Sequence, residues 1–119
     1  MLTESQPSFF TLLATTDLSG LVVFSPGKGR WLRARHVAGA LVVNTGETLS
    51  RITNDAWPAT RHYVLHAGPA GRDRFSLPFF FNPTATARMA VVPTCLRDGQ
   101  LPKYHPISYL EGQGVAQGE

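Results

Sequence analysis

Cysteine is nearly missing from this chain. Cys95 is alone among 119 residues, which excludes an intrachain disulfide framework and points to a reducing, cytoplasmic setting. No charged-then-apolar leader precedes Phe9, so secretion is not indicated. No apolar run approaches the ~18 residues a membrane span requires. Lysine-rich tails are absent too. The net charge of +3 and the pI near 9.5 come mostly from arginines scattered between Arg30 and Arg97, without the clustered footprint of a nucleic-acid binder. Internal repeats and low-complexity tracts are likewise missing. At this length the chain is expected to form a single domain over residues 1–119, burying somewhat over ~60% of the surface its unfolded form exposes.

What is present is turn punctuation. Nine prolines and eleven glycines are spread between short apolar runs, the distribution of an all-β protein. Residues 9–15 read as a first strand, 21–24 as a second, and 25–29 as a hairpin-type loop. Residues 31–37 alternate, and 40–44, the most apolar run, is expected to be a central strand. Residues 46–54 are ambiguous: Leu49 and Ile52 permit one helical turn, whereas Thr48, Ile52 and Thr53 favour extended chain. Two further β-runs follow, 62–66 and 74–81, joined by a Gly/Pro-rich turn over 67–71. In the second, Arg74, Ser76 and Pro78 alternate with Phe75, Leu77 and Phe79, so period-two geometry puts a guanidinium and a hydroxyl on one strand face, able to hold a small anion. Residues 89–92 read as a last short strand, 93–106 as surface loop, and 108–119 as a weak helical turn. Seven or eight such strands fit a sandwich or barrel.

The runs GALVVNTGETLSRITN (39–54), ATRH (59–62) and RFSLPFFFNP (74–83) resemble the catalytic jelly roll of the iron(II)- and 2-oxoglutarate-dependent oxygenases, isopenicillin N synthase-like branch, over roughly residues 8–109. The resemblance implies a double-stranded β-helix, here truncated at its N-terminal side. It also implies Fe(II) and 2-oxoglutarate as cofactors, and a dioxygenase that hydroxylates or desaturates a small organic substrate. His62 matches the family's distal metal-binding histidine, and Arg74 with Ser76 matches the Arg-x-Ser that grips the distal carboxylate of 2-oxoglutarate. The residue types suit those roles. Neutral imidazole binds borderline divalent metals, and the planar guanidinium donates two parallel hydrogen bonds to a carboxylate.

The same alignment exposes a departure. Five residues ahead of Thr11, where the family has the carboxylate of its His-x-Asp pair, stands Gln6, and Glu4 takes the histidine's place. Glu4 is therefore the candidate replacement ligand. Two functions stay open: a working dioxygenase, or a degenerate remnant that keeps a 2-oxoglutarate-type anion pocket without a complete iron site. The family's upstream strand and covering helices also lack counterparts here, so an uncovered apolar sheet face and self-association are expected. The remaining candidates have plainer readings. Arg74 alternatively pairs with Asp73 or Glu47. His36, His66 and His105 read as surface or strand residues, Trp57 and Phe79 to Phe81 as core and wall, and Cys95 as an ordinary thiol.

Overall fold

The computed structural model describes residues 7–18, 20–65 and 71–116. Two three-stranded antiparallel sheets, a two-stranded ribbon and two short helices form an all-β jelly roll. The first sheet has the order β4 (Val42–Thr45), β1 (Phe10–Thr15), β6 (Ser76–Phe81). The second has β3 (Arg30–Arg33), β2 (Leu21–Ser25), β5 (His62–Val64). The ribbon pairs β7 (Arg88–Met89) with β8 (Ile107–Ser108), and the helices are α1 (Glu47–Ile52) and α2 (Tyr109–Ala116).

The central strand of the first sheet is β1, not the apolar run 40–44. Its residues Phe10 to Leu13 pair with β4 and Phe10 to Thr15 with β6. Apolar content reports what a strand's faces meet, not its rank in the sheet, and the outward Val43 of β4 is 62% exposed. The run 74–81 and the run 62–66 also do not form a hairpin: β5 pairs with β2 and β6 with β1, so the connection passes from one sheet to the other. The intervening turn lies outside the described residues.

Pro78 sits inside β6 without breaking it. Thr16 N–H donates to the Phe75 carbonyl at 3.1 Å. In an antiparallel ladder the odd residues of β6 therefore exchange hydrogen bonds with β1, and Ser76, Pro78 and Phe80 turn their backbone groups to the sheet's open edge. A proline is tolerated there because the N–H it lacks would have faced outward.

The ambiguous stretch 46–54 resolves as helix α1. Gly46 precedes it because its Cα lies against Ser8: an added Cβ would overlap the Ser8 carbonyl. The helix exits through Asn54 and Asp55 at φ 54° and 64°, left-handed positions that Asn and Asp tolerate better than other residues with a side chain. Both side chains then fasten the segment 93–106. Asn54 Oδ1 accepts from Lys103 N–H at 2.8 Å. Asp55 accepts from Lys103 Nζ at 2.9 Å, Tyr104 Oη at 2.9 Å and Ser50 Oγ at 3.0 Å. Arg51 stacks over the Tyr104 ring at 4.9 Å and donates to the His105 carbonyl.

The loop expected over 93–106 is thus latched to α1, and it returns as β8, a strand the sequence did not announce. The strand expected over 89–92 shortens to Arg88–Met89, because Val92 N–H is taken by the Ile52 carbonyl at 2.8 Å. Helix α2 opens on a capping box, in which Ser108 N–H and Oγ donate to Glu111 Oε2 and Glu111 N–H donates to Ser108 Oγ.

The core is thin. Among the described residues the buried apolar side chains are Leu21, Val22 and Met89. The radius of gyration, 16.3 Å, exceeds the ~13.5 Å expected of a compact chain this long. The outer face of β6 is open, with Phe75, Leu77 and Phe79 each at least 60% exposed. Trp57, expected in the core, is 59% exposed, and Phe79 and Phe81 also point outward, whereas Phe80 faces inward as wall.

The latch makes a prediction about acid. Partial burial pushes the Asp55 carboxyl up, but hydrogen bonds from Lys103, Tyr104 and Ser50 outweigh it and hold the group below its ordinary 3.8. A carboxylate with a depressed folded-state pKa contributes stability above its unfolded value and loses it as pH falls through the folded one. Asp55→Asn is expected to cost about 1–2 kcal/mol at pH 7. The difference from the parent protein should shrink below about pH 4, as read by urea denaturation at pH 3 and pH 7.

Candidate functional site

The two sheets face each other, and alternation decides what lies between them. Thr11, Leu13 and Thr15 of β1 point inward; opposite them on β6 are Phe80, Pro78 and Ser76. The second sheet contributes Leu21 and Val23 from β2 and His62 and Val64 from β5. They enclose a cavity of about 330 Å³. His62, Arg74 and Ser76, singled out in the sequence on separate grounds, all line it. Arg74 lies two residues before β6 begins and not within a strand, yet the period-two alternation carries through and it shares the Ser76 face.

The cavity has two polar ends. At one, Ser76 stands across the ladder from Thr15, and Arg74 passes beside Gly20. Gly20 is required there: a Cβ would overlap the Leu65 carbonyl and meet Arg74 Cδ and Nε at 3.4 Å. At the other end are Thr11, its cross-strand neighbour Asn44, Thr60 and His62. Thr60 N–H donates to the Thr45 carbonyl, and Thr45 pairs with Phe10, which ties the His62 end to the start of β1. Four residues of extended strand separate Thr11 from Thr15, roughly 13 Å. Leu13, Leu21 and Val23 form the apolar middle.

His62 is held in one tautomer. Its Nδ1 lies 2.8 Å from the Thr60 carbonyl oxygen. A carbonyl can only accept, so in the neutral ring Nδ1 carries the proton and Nε2 keeps its lone pair, the arrangement of a metal-ligating histidine. Thr11 is 6% exposed, and its hydroxyl has no hydrogen-bond partner among the described residues. Leaving such a group dry costs about 1–3 kcal/mol. Arg72 pairs with Asp17 and Lys103 with Asp55. Asp17, hydrogen-bonded by Arg72, is held below its usual carboxylate value.

The residues fit a dicarboxylic acid better than they complete a metal centre. A guanidinium beside a hydroxyl suits one carboxylate, and the orphaned Thr11 hydroxyl waits at the opposite end. For iron, His62 supplies one ligand, and no cluster of three His, Cys, Asp or Glu occurs among the described residues. Glu4 and Gln6 lie outside them. His36, read as a surface residue, is exposed and touches Thr15 Oγ1 at 3.4 Å. His105 is exposed as expected, and His66 lies outside the described residues. The sequence reading missed Thr11 and Gly20. Thr11 had a legible signal, since it shares the period of Leu13 and Thr15. The role of Gly20 depends on a contact with Leu65 far along the chain and had none.

The family profile of the 2OG-Fe(II) oxygenase superfamily matches residues 1–83. The chain belongs to that superfamily. It is 38% identical over 98 residues to a 2-oxoglutarate-Fe(II) type oxidoreductase, hxnY, of Emericella nidulans, covering 82% of this chain and 28% of that protein. It is 33% identical over 108 residues to a bi-functional coumaroyl CoA and feruloyl CoA ortho-hydroxylase of Ipomoea batatas, covering 91% of this chain and 30% of that protein. Its fold superimposes on a full-length Neurospora crassa protein solved in complex with alpha-KG, with a TM-score of 0.84 and 25% identity, over 99% of this chain and 37% of the other. The chain therefore spans about a third of the length of the relatives it matches. Among the described residues no helix is long and apolar enough to cross a membrane.

Gly20 is a sharp test of the Arg74 end. Gly20→Ala is expected to destabilise the fold by about 1–3 kcal/mol, because the new methyl must displace the Leu65 carbonyl. Chemical denaturation measures it, and an unchanged midpoint would refute the close approach.

Proposed function

We propose that residues 1–119 form a single catalytic-type domain of an Fe(II)- and 2-oxoglutarate-dependent dioxygenase acting on a small organic substrate. The observation that carries this reading is the convergence of His62, Arg74 and Ser76 on one cavity. Arg74 and Ser76 clasp the distal carboxylate of 2-oxoglutarate, the guanidinium neutralising its charge and the hydroxyl fixing its orientation. His62 Nε2, freed by the hydrogen bond at Nδ1, is the one described metal ligand, and Glu4 is the candidate second. When bound, Fe(II) with 2-oxoglutarate supplies oxidative decarboxylation to succinate, coupled through dioxygen to hydroxylation or desaturation. The apolar middle of the cavity excludes bulk water from that chemistry. The free thiol of Cys95 suits a cytoplasmic setting.

One sequence observation favours a second reading. With Glu4 and Gln6 in place of His-x-Asp, the pocket binds the dicarboxylate but does not retain iron, giving a non-catalytic module. Anaerobic calorimetry with Fe(II), then 2-oxoglutarate, separates the two. A working centre binds iron at micromolar concentration and loses it in His62→Ala. The remnant binds 2-oxoglutarate without metal and loses it in Arg74→Ala. Absence of 2-oxoglutarate binding under both conditions would sink both readings.

The outer face of β6 belongs to the same proposal. Phe75, Leu77 and Phe79 with Val43 of β4 form an open apolar patch, a surface usually covered by a partner. The isolated chain is expected to self-associate, and Leu77→Lys with Phe79→Thr to shift it toward monomer in size-exclusion chromatography. A sharp monomer peak for the parent chain at micromolar concentration, with no binding of an apolar dye, would count against this.

A further inference from the structure

The Arg74 end accounts for one carboxylate and leaves the opposite end of the cavity without a stated ligand contact. Thr11 is the residue whose chemistry is unfinished there. It is 6% exposed, faces inward, and its hydroxyl finds no partner among the described residues. Its backbone is committed to the ladder with Asn44 and Phe80, so the side chain cannot leave the cavity wall without breaking the central strand. Two other inward hydroxyls are engaged, Thr15 Oγ1 with His36 Nδ1 and Thr60 Oγ1 with Thr45 Oγ1, while that of Ser76 belongs to the Arg74 end. A buried hydroxyl on a residue that lines a ligand-sized space, with no hydrogen-bond partner among the described residues, is an unusual feature of a native fold, and a turn about its Cα–Cβ bond is enough to offer it to a ligand there.

We infer that Thr11 is a positioning residue: its hydroxyl donates a hydrogen bond to the oxo-acid end of the bound dicarboxylate, opposite the carboxylate held by Arg74 and Ser76. This rests on the 2-oxoglutarate reading above and deepens it. With anchors at both ends, the ligand is fixed in direction as well as in place, its oxo-acid end turned toward His62. A compound carrying a carboxylate at one end only would engage Arg74 and leave Thr11 dry.

The test compares Thr11→Val and Thr11→Ser with the parent chain by metal-free 2-oxoglutarate titration and by melting temperature without ligand. Valine keeps the shape and removes the hydroxyl. It is expected to weaken binding about tenfold, the size of one hydrogen bond to a charged group, while the unliganded melting temperature stays level or rises because an unsatisfied polar atom has gone. Serine, which keeps the hydroxyl, is expected to bind within about threefold of the parent. Parent-like affinity in Thr11→Val, with Arg74→Ala still abolishing binding, overturns the role of Thr11 alone. A collapse of the melting temperature in Thr11→Val also overturns it, since the hydroxyl would then be serving the fold. If the parent chain does not bind 2-oxoglutarate saturably, or Arg74→Ala binds as well as the parent, the proposed function falls and this inference with it.

Discussion

The register of β1 between its two neighbours is the constraint on which the rest depends. Leu13 lies opposite both Val42 and Pro78, and that pairing decides in one step that Thr11, Leu13 and Thr15 face inward together with Ser76, Pro78 and Phe80. Because the side-chain period of a strand is two, a slip of one residue would turn Ser76 outward and put Phe75 and Leu77 into the cavity. What holds the register is divided between apolar and polar contacts. Phe10 stacks on Phe81 at 4.8 Å, and Phe9 N–H reaches Asn82 Oδ1 at 3.3 Å. At the other end of the strand, Thr16 shares backbone and side-chain bonds with Phe75.

The second sheet is fixed by a different means. Phe24, Trp31 and Tyr63 stack edge to face on its outer side, with the Arg61 guanidinium 5.5 Å from the Phe24 ring and 5.8 Å from that of Trp31. Such contacts contribute about 0.5–1.5 kcal/mol each, and they shelter Val22, which is 5% exposed although it faces outward. His62 therefore sits between Arg61 and Tyr63, whose side chains are engaged on the opposite face. Its own ring is left to the cavity and to the Thr60 carbonyl.

Much of this was legible because it obeys short-range rules. The alternation from Arg74 to Phe80 gave the inward face of β6, and Pro and Gly spacing gave the turns. The placement of strands in sheets was not legible, because β5 and β6 are neighbours in sequence and belong to different sheets, a matter of long-range pairing. The latch was equally hidden. Asn54 and Asp55 look like a turn, but their left-handed backbone aims two side chains at Lys103 and Tyr104 about fifty residues on. The capping box at Ser108 and Glu111 was visible in the letters, though the glycines after it masked the helix it opens.

The thinness of the core gives the cavity a second role. Arg74 and Ser76 belong to one sheet and its approach, His62 to the other, so a ligand that engages both spans the gap between layers that few buried apolar side chains hold together. Binding to the folded state alone raises stability with the logarithm of ligand concentration over Kd, about 2.7 kcal/mol at a hundredfold excess. For a well-packed sandwich that would be a small addition. Here only Leu21, Val22 and Met89 are buried apolar side chains among the described residues, and of these Val22 faces outward and Met89 lies in the ribbon, so such binding would be a sizeable share of what keeps the two sheets facing each other. The proposed site and the fold are consequently coupled: residues that would hold an anion there would also decide how firmly the walls of its cavity stand.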